Sequence, residues 1–275
     1  MMNEKELQER IQMKREFMLW DKSEFVSDQN QQKPQPPLAK PAMTDRILAL
    51  PKNFKELPMK QDLVDILFAR RSNRVFTEQP VSLEALSFLL WASQGVKGLR
   101  GKSYATLRTV PSAGARHPFE VYVYAKQVDG LPTGLYHYLP MTHEIECLKE
   151  TDPKDAEINA QVIKALHGQK WAEKASVVFF YSAVMYRGEW RYSVNSHRVM
   201  LIDAGHAVQN LYIGCTALGL GTCAIAALTS EAADDLFGLD GKEETIFYAA
   251  PVGTISEENE DQEQAFYAFL KEEKK

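Results

Sequence analysis

The sequence predicts an α+β fold, and three observations carry that expectation. Helical and strand patterns intermix along the chain without the repeating alternation of a βαβ barrel. Residues 176–183, "SVVFFYSA", are nearly continuous in apolar side chains, as a central strand buried on both faces requires. Residues 134–140 and 143–149, "GLYHYLP" and "HEIECLK", read as a hairpin around Met141 and Thr142, and hairpins pair strands antiparallel.

The elements follow in order. Residues 3–20 place Leu7, Ile11 and Met18 on one side of a helix among Glu and Lys. Residues 27–43 are polar and proline-rich, which excludes a helix or an inner strand. Residues 1–58 therefore read as an arm and linker, and 59–256 as the globular domain. Within the domain, 62–72 and 82–95 are helical, the second with Ser82 as N-cap and Gly95 at its end. Residues 119–126 alternate as a strand. Residues 155–168 form a helix ending in glycine. Residues 197–221 read as a long helix, apolar nearly all the way round, so both sides should be buried in a large core or a subunit interface. Residues 229–239 are a further helix and 245–255 a buried strand. The tail, 257–275, is acidic and then aromatic, with a short helix expected in "QAFYAFLKEEKK".

Composition bounds the function. The 275 residues are 45% apolar and 25% charged, ordinary for a globular protein, and a formal net charge of −5 gives no electrostatic case for nucleic acid. The first twenty residues are charged throughout and lack the apolar core of a signal peptide, and no apolar run is long enough to span a bilayer. Cys147, Cys215 and Cys223 show no zinc spacing, so no metal is expected, and their small odd number fits a reducing cytoplasm.

Three segments stand out. "ARRSNRVF", 69–76, gathers arginines at a helix end, where the planar guanidinium fork suits phosphate and where cations also simply favour the helix terminus. "PSAGARHP", 111–118, is a small-residue loop that lets a backbone approach a flat ligand, although it also serves as a lead-in to a strand. Gly114 permits positive φ there, and His117 has a side chain that could titrate near neutrality. "GLGTCAIAALTSE", 219–231, can lay backbone N–H groups against a ring, or can be a helix end with core packing. It is not a G-x-G-x-x-G fingerprint, which excludes a dinucleotide-binding βαβ unit. No G-x-S-x-G is present, so a serine hydrolase has no support. Asp203 and His206, three apart on one helix face, read as a hydrogen-bonded pair.

In this order the three segments resemble the FMN-dependent nitroreductase family, over about residues 60–255. "RRSNRVF" is similar to its R-x-S-x-R/K-x-F motif, "PSAGARHPFEVYVY" to its P-S-x-G-x-x-x-P segment and strand, and "DAGHAVQNLYIGCTALGLGTCAIAAL" to its central helix and flavin-facing loop. "GLYHYLP" and "DAGH" also resemble the SagB-like subgroup named for azoline oxidases of peptide natural products. The resemblance implies a central mixed or antiparallel sheet flanked by helices, in an intertwined homodimer with FMN at the interface. By position, Arg70, Arg71, Ser72 and Arg74 would hold the FMN phosphate. Pro111, Ser112, Ala113 and Gly114 would reach the flavin across the interface, with Arg116 nearby. Ala224, Ile225, Ala226 and Ala227 would face the ring.

The chain departs from the family at Ala115 and His117, where many members carry Asn and Gln. It departs again after residue 252, where acids replace a cation. Arg191 and Tyr192 stand where azoline oxidases carry a Lys-Tyr pair; arginine cannot act as a base, and Tyr192 is left as the acid–base candidate. The function implied is a cytoplasmic oxidoreductase that passes two electrons from NADH or NADPH to nitroaromatic or quinone-like acceptors by a ping-pong mechanism. The alternatives are a flavin-dependent oxidase of a modified peptide or heterocycle, and a non-catalytic docking protein.

Overall fold

The computed structural model describes residues 3–18, 26–102 and 104–256; the expected tail helix lies outside them. In chain order the elements are α1 (Glu4–Met18), β1 (Ile47–Ala49), α2 (Leu63–Ala69), β2 (Val81–Ser82), α3 (Leu83–Gln94), β3 (Val96–Arg100) and β4 (Ala105–Arg108). Then come β5 (Phe119–Ala125), β6 (Val128–Asp129), β7 (Gly134–Leu139), β8 (Glu144–Glu150), α4 (Ala156–Ala165), β9 (Val177–Val184) and α5 (Met185–Tyr192). The chain continues through α6 (Ser196–Ala217), β10 (Leu220–Thr222), α7 (Ser230–Phe237) and β11 (Glu244–Thr254).

One seven-stranded sheet, in the order β1-β8-β7-β5-β9-β11-β10 and antiparallel throughout, organises the molecule. Its two central strands explain the apolar run seen in the sequence. Successive side chains of a strand point to opposite faces, and here both faces are covered. Val121, Val123, Phe179 and Tyr181 pack with α3 and α6 through Leu86, Leu89, Val208 and Leu211. Tyr122, Tyr124, Val178 and Phe180 pack with α4 and α7 through Ile158, Val162, Ala233 and Phe237. Burying each such aliphatic or aromatic side chain contributes about 1.5–3 kcal/mol.

The helix starts follow their capping chemistry. Asp62 accepts from the Val64 and Asp65 N–H groups, Ser82 from Ala85 N–H, and Asp155 from Glu157 and Ile158 N–H. The helix expected over 62–72 stops at Ala69, because Arg70 turns to ψ 123° and leaves the arginine segment extended. The helix expected to run to Gly221 stops at Ala217, and Leu220–Thr222 joins the sheet instead.

The second half of the expected arm lies on the domain: Ile47–Ala49 pairs with β8 as an edge strand. Ahead of it, the Lys40 ammonium reaches Glu244 at 2.7 Å, and the Met43 and Thr44 N–H groups donate to Glu146 at 2.7 Å. The apolar positions of α1 (Leu7, Ile11 and Met18) stay exposed. Helix α6, expected to be covered on both sides by a core or a subunit interface, is covered on one side by this chain. Its inner side is buried, but Leu201, Ile202, Gly205, His206 and Gln209 form an exposed stripe along the other. The β3–β4 hairpin, the short strands β2 and β6, and the helix α5 carried no signal in the sequence.

Candidate active site

The arginine segment and the 224–227 loop meet at Tyr212, on the last turns of α6. The Tyr212 hydroxyl accepts from Ala224 N–H at 2.8 Å and lies 3.2 Å from Ser72 Oγ. The Arg70 guanidinium stands 5.5 Å over the Tyr212 ring, and that of Arg74 stands 5.9 Å over the Trp171 ring. Arg71 is exposed beside them. Asn73 N–H donates to Thr222 O at 2.9 Å, which lays the segment along β10. Gly221 makes this approach possible: a Cβ there would come within 2.6 Å of Ile255 and 2.8 Å of Asn73. Tyr212 was not singled out from the sequence, where it is one more apolar residue on a helix apolar all round.

The loop over 224–227 divides. Ile225 turns its side chain into the core and pairs with Ala249 through both backbone groups, N–H to O at 2.7 and 3.0 Å, so it offers neither to a ligand. Ala224 N–H is held by Tyr212. Ala226 and Ala227 are exposed, and their backbone N–H groups donate to no described acceptor. Two unpaired donors on a methyl-lined loop, within one loop's reach of three arginines, fit an oxidised ring system carrying a phosphate.

The P-S-A-G loop is held elsewhere on α6. Ala113 N–H donates to both carboxylate oxygens of Asp203, at 2.9 and 3.1 Å, and Ser112 Oγ accepts from His117 N–H at 2.9 Å. Asp203 thus pairs with the loop. His206, expected as its partner, is 4.0 Å away and 45% exposed. Burial raises the Asp203 carboxyl above its ordinary value, and the bonds to Ser112 and Ala113 oppose that rise. Gly114, Ala115 and His117 all have positive φ, 57°, 52° and 45°. His117 is not the neutral-range titrating group its residue type suggested. It is buried, and that burial, with Arg108 nearby, pushes its pKa down to about 3. Arg116 is not offered to a ligand phosphate either. Its Nε donates to Gly114 O at 3.0 Å and its Nη2 to Tyr104 O at 2.9 Å, so it is spent on holding its own loop.

Arg191 and Tyr192 end α5 against this loop. A Cβ on Gly114 would lie 2.5 Å from Arg191 Cδ and 2.8 Å from the Tyr192 hydroxyl, which is why only glycine fits. Within one chain, then, the structure brings Arg70, Ser72 and the 224–227 loop together at one end of α6, and Pro111–Gly114 with Arg191 and Tyr192 at the other. Asp203 and Tyr212, nine positions apart, stand about 13 Å apart along the helix axis.

The sequence pattern of the Nitroreductase family matches residues 67–254. A protein of Methanocaldococcus jannaschii named as a putative nitroreductase is 35% identical over 165 residues, 60% of this chain and 78% of its own. The trifolitoxin-processing protein TfxB of Rhizobium leguminosarum bv. trifolii is 31% identical over 121 residues, 41% of this chain but only 30% of that longer protein. Among solved structures, a putative nitroreductase of Ralstonia eutropha superimposes with a TM-score of 0.62 at 25% identity, covering 82% of this chain and 95% of that one. A chain of the E. coli microcin synthetase McbBCD complex shares the fold at a TM-score of 0.58 and 15% identity, covering 93% and 96%. The match spans both walls of the site and the helix between them: this chain belongs to the nitroreductase family and is an oxidoreductase.

Proposed function

We propose that the protein is an FMN-dependent oxidoreductase that takes two electrons from a reduced nicotinamide and passes them to an electron-poor acceptor such as a nitroaromatic or quinone, in two half-reactions at one site. The observation that carries this is the junction at Tyr212, which ties the arginines to a loop with two unpaired N–H groups. When bound, the flavin supplies the two-electron chemistry. The chain's own residues do the rest. Arg70, Arg71 and Arg74 neutralise the phosphate, with Ser72 beside them. Ala226 and Ala227 offer donors where the ring gains electron density, and their small side chains leave room for a second flat molecule to stack.

The same reading calls for a homodimer. One chain separates its two walls by about 13 Å along α6, and the exposed stripe of that helix, with Leu201 and Ile202 at 47% and 53% exposure, is the surface that would bring a second copy's P-S-A-G loop to the first copy's arginines.

The test is a visible spectrum of the purified protein after incubation with FMN, followed by titration. Wild type should show bound flavin, and Arg70→Ala/Arg74→Ala should bind it at least tenfold more weakly. A colourless protein that takes up no FMN sinks the proposal. The similarity to TfxB and to the microcin synthetase chain favours one second reading, oxidation of a modified peptide with oxygen as the terminal acceptor. Rapid-mixing reduction by NADH and NADPH separates the two: bleaching by neither favours the peptide oxidase.

A further inference from the structure

Tyr104 is where three guanidinium groups converge. Arg100 and Arg116 stand over its ring at 5.6 and 4.7 Å, and Arg191 donates through Nη1 to its hydroxyl at 2.8 Å. Gln29 donates to the same hydroxyl at 2.9 Å and accepts from Arg191 Nη1 at 3.0 Å. Two donors already occupy the Tyr104 oxygen, so its own proton is directed away from them, and no described acceptor takes it.

Among the described residues no carboxylate balances these charges. The hydrogen-bond acceptors of Arg116 and Arg191 are two peptide carbonyls, an amide and a phenol, and among the described residues no ion pair joins Arg100, Arg116 or Arg191 to an acid. The sequence concentrates the charge. Between Glu84 and Glu120 stand Lys97, Arg100, Lys102, Arg108 and Arg116 and no acid, in a chain whose net charge is −5. Cations held this close disfavour one another's charged form. Burial first, then the fields of Arg191 and Arg100, lower the Arg116 pKa.

The cluster packs against the P-S-A-G loop at Gly114. Arg116 holds Gly114, Arg191 closes over it, and a cavity of about 520 Å³ lined by Lys97, Thr106, Arg108, Ser112 and His117 opens on the same loop. We propose that Arg100, Arg191 and the Tyr104 hydroxyl form an oxyanion site, backed by the buried charge of Arg116, for a phosphate or carboxylate carried by the molecule that reacts at this loop. The planar guanidinium fork binds either group through paired N–H donors. The assignment rests on the loop being part of the active site, and it gives Arg191 a binding role where a base was excluded. Two sources share this chemistry: the 2′-phosphate of NADPH and the carboxylate of an acidic acceptor.

Steady-state kinetics of the flavin-loaded protein distinguish them. NADPH is compared with NADH, and 4-nitrobenzoate with its methyl ester, for wild type, Arg100→Ala, Arg191→Ala and Arg191→Lys. Arg100 is exposed, so its replacement leaves the fold alone. In one of the two pairs the preference for the more anionic member, as a ratio of kcat/KM, should fall about tenfold in both alanine variants, through KM, with Arg191→Lys recovering part. A fall in the nucleotide pair identifies the phosphate, and a fall in the acceptor pair the carboxylate. Unchanged ratios in both pairs overturn the site. A second measurement needs no turnover: inorganic pyrophosphate titrated into the flavin-loaded protein, or into the full chain should it take up no flavin, ought to bind at least fivefold more weakly to Arg100→Ala/Arg191→Ala. Equal binding overturns the site, whereas failure to bind FMN overturns only the functional reading.

Discussion

Residues 114–117 show what single side chains decide. Gly114 and Ala115 are both left-handed, but only Gly114 is of the type that conformation favours. An alanine there costs about 1 kcal/mol. Ala115→Gly should therefore raise stability by up to about 1 kcal/mol, read as an upward shift in Tm. Gly114→Ala should do the reverse and also displace Arg191, whose Cδ occupies the space of the new methyl. An unchanged Tm in Gly114→Ala would show that the loop is not held as described. Loops of this kind are legible as unusual in a sequence. Which residue carries the strain is not, because φ at Ala115 and His117 is imposed by the bonds from His117 N–H to Ser112 and from Ala113 N–H to Asp203.

At the scale of elements, α6 is the beam that carries the site. Its inner face belongs to the core, Asp203 grips one loop and Tyr212 the other. Tyr212→Phe removes the acceptor of Ala224 N–H and the neighbour of Ser72 while keeping the ring under Arg70. The expected result is a loss of about 1 kcal/mol of stability, with weaker flavin retention at unchanged secondary structure. A variant that retains flavin like wild type would deny Tyr212 its joining role. The apolar pattern of α6 was legible, and so was its start, whereas its C-terminal end was not. That one side stays open in the single chain was not, since hydropathy marks burial without saying whether the same chain or another supplies the cover.

Across the whole molecule, a buried charge network fastens residues 40–44 to the sheet. His137 lies 2.7 Å from Glu146 and 3.3 Å from Glu120; Arg187 pairs with Glu120, and Lys40 with Glu244. Among the described residues, Arg187 Nε and Nη1 have no hydrogen-bond partner. Burial by itself would raise the Glu120 and Glu146 carboxyls. Arg187 and His137 outweigh it at Glu120, and His137 with the Thr44 and Met43 N–H groups outweighs it at Glu146, so both are lowered. Burial would lower His137, yet its bonds to Glu120 and Glu146 prevail and raise it. The signs fix the pH window. The stabilisation from His137 is complete below its ordinary 6.5 and is lost as pH rises through the raised value. That from the carboxylates is complete above 4.5 and is lost as pH falls through the lowered values. Thermal unfolding should therefore show greatest stability between these limits, and His137→Gln should flatten the alkaline limb; an identical alkaline slope in the variant would refute the assignment. Arg187→Leu leaves Glu120 buried without its cation and should cost about 3 kcal/mol in denaturant unfolding.

Sequence by itself determined the α+β class, most of the helices, the longer strands of the main sheet, and the three segments that carry the family pattern. Those properties follow from local rules: side-chain period, capping and turn chemistry act over a few residues. Tertiary structure alone decided that Tyr212 joins two of the segments, that Asp203 serves a loop rather than His206, and that Arg116 is spent on its own loop. It also decided that the supposed linker contributes an edge strand, and that Arg100, Arg116 and Arg191 meet on Tyr104. Each of these is a contact between residues distant along the chain. Hydrogen bonds and charges act through space, and no spacing in the sequence records which of many possible partners the fold brings within 3 Å.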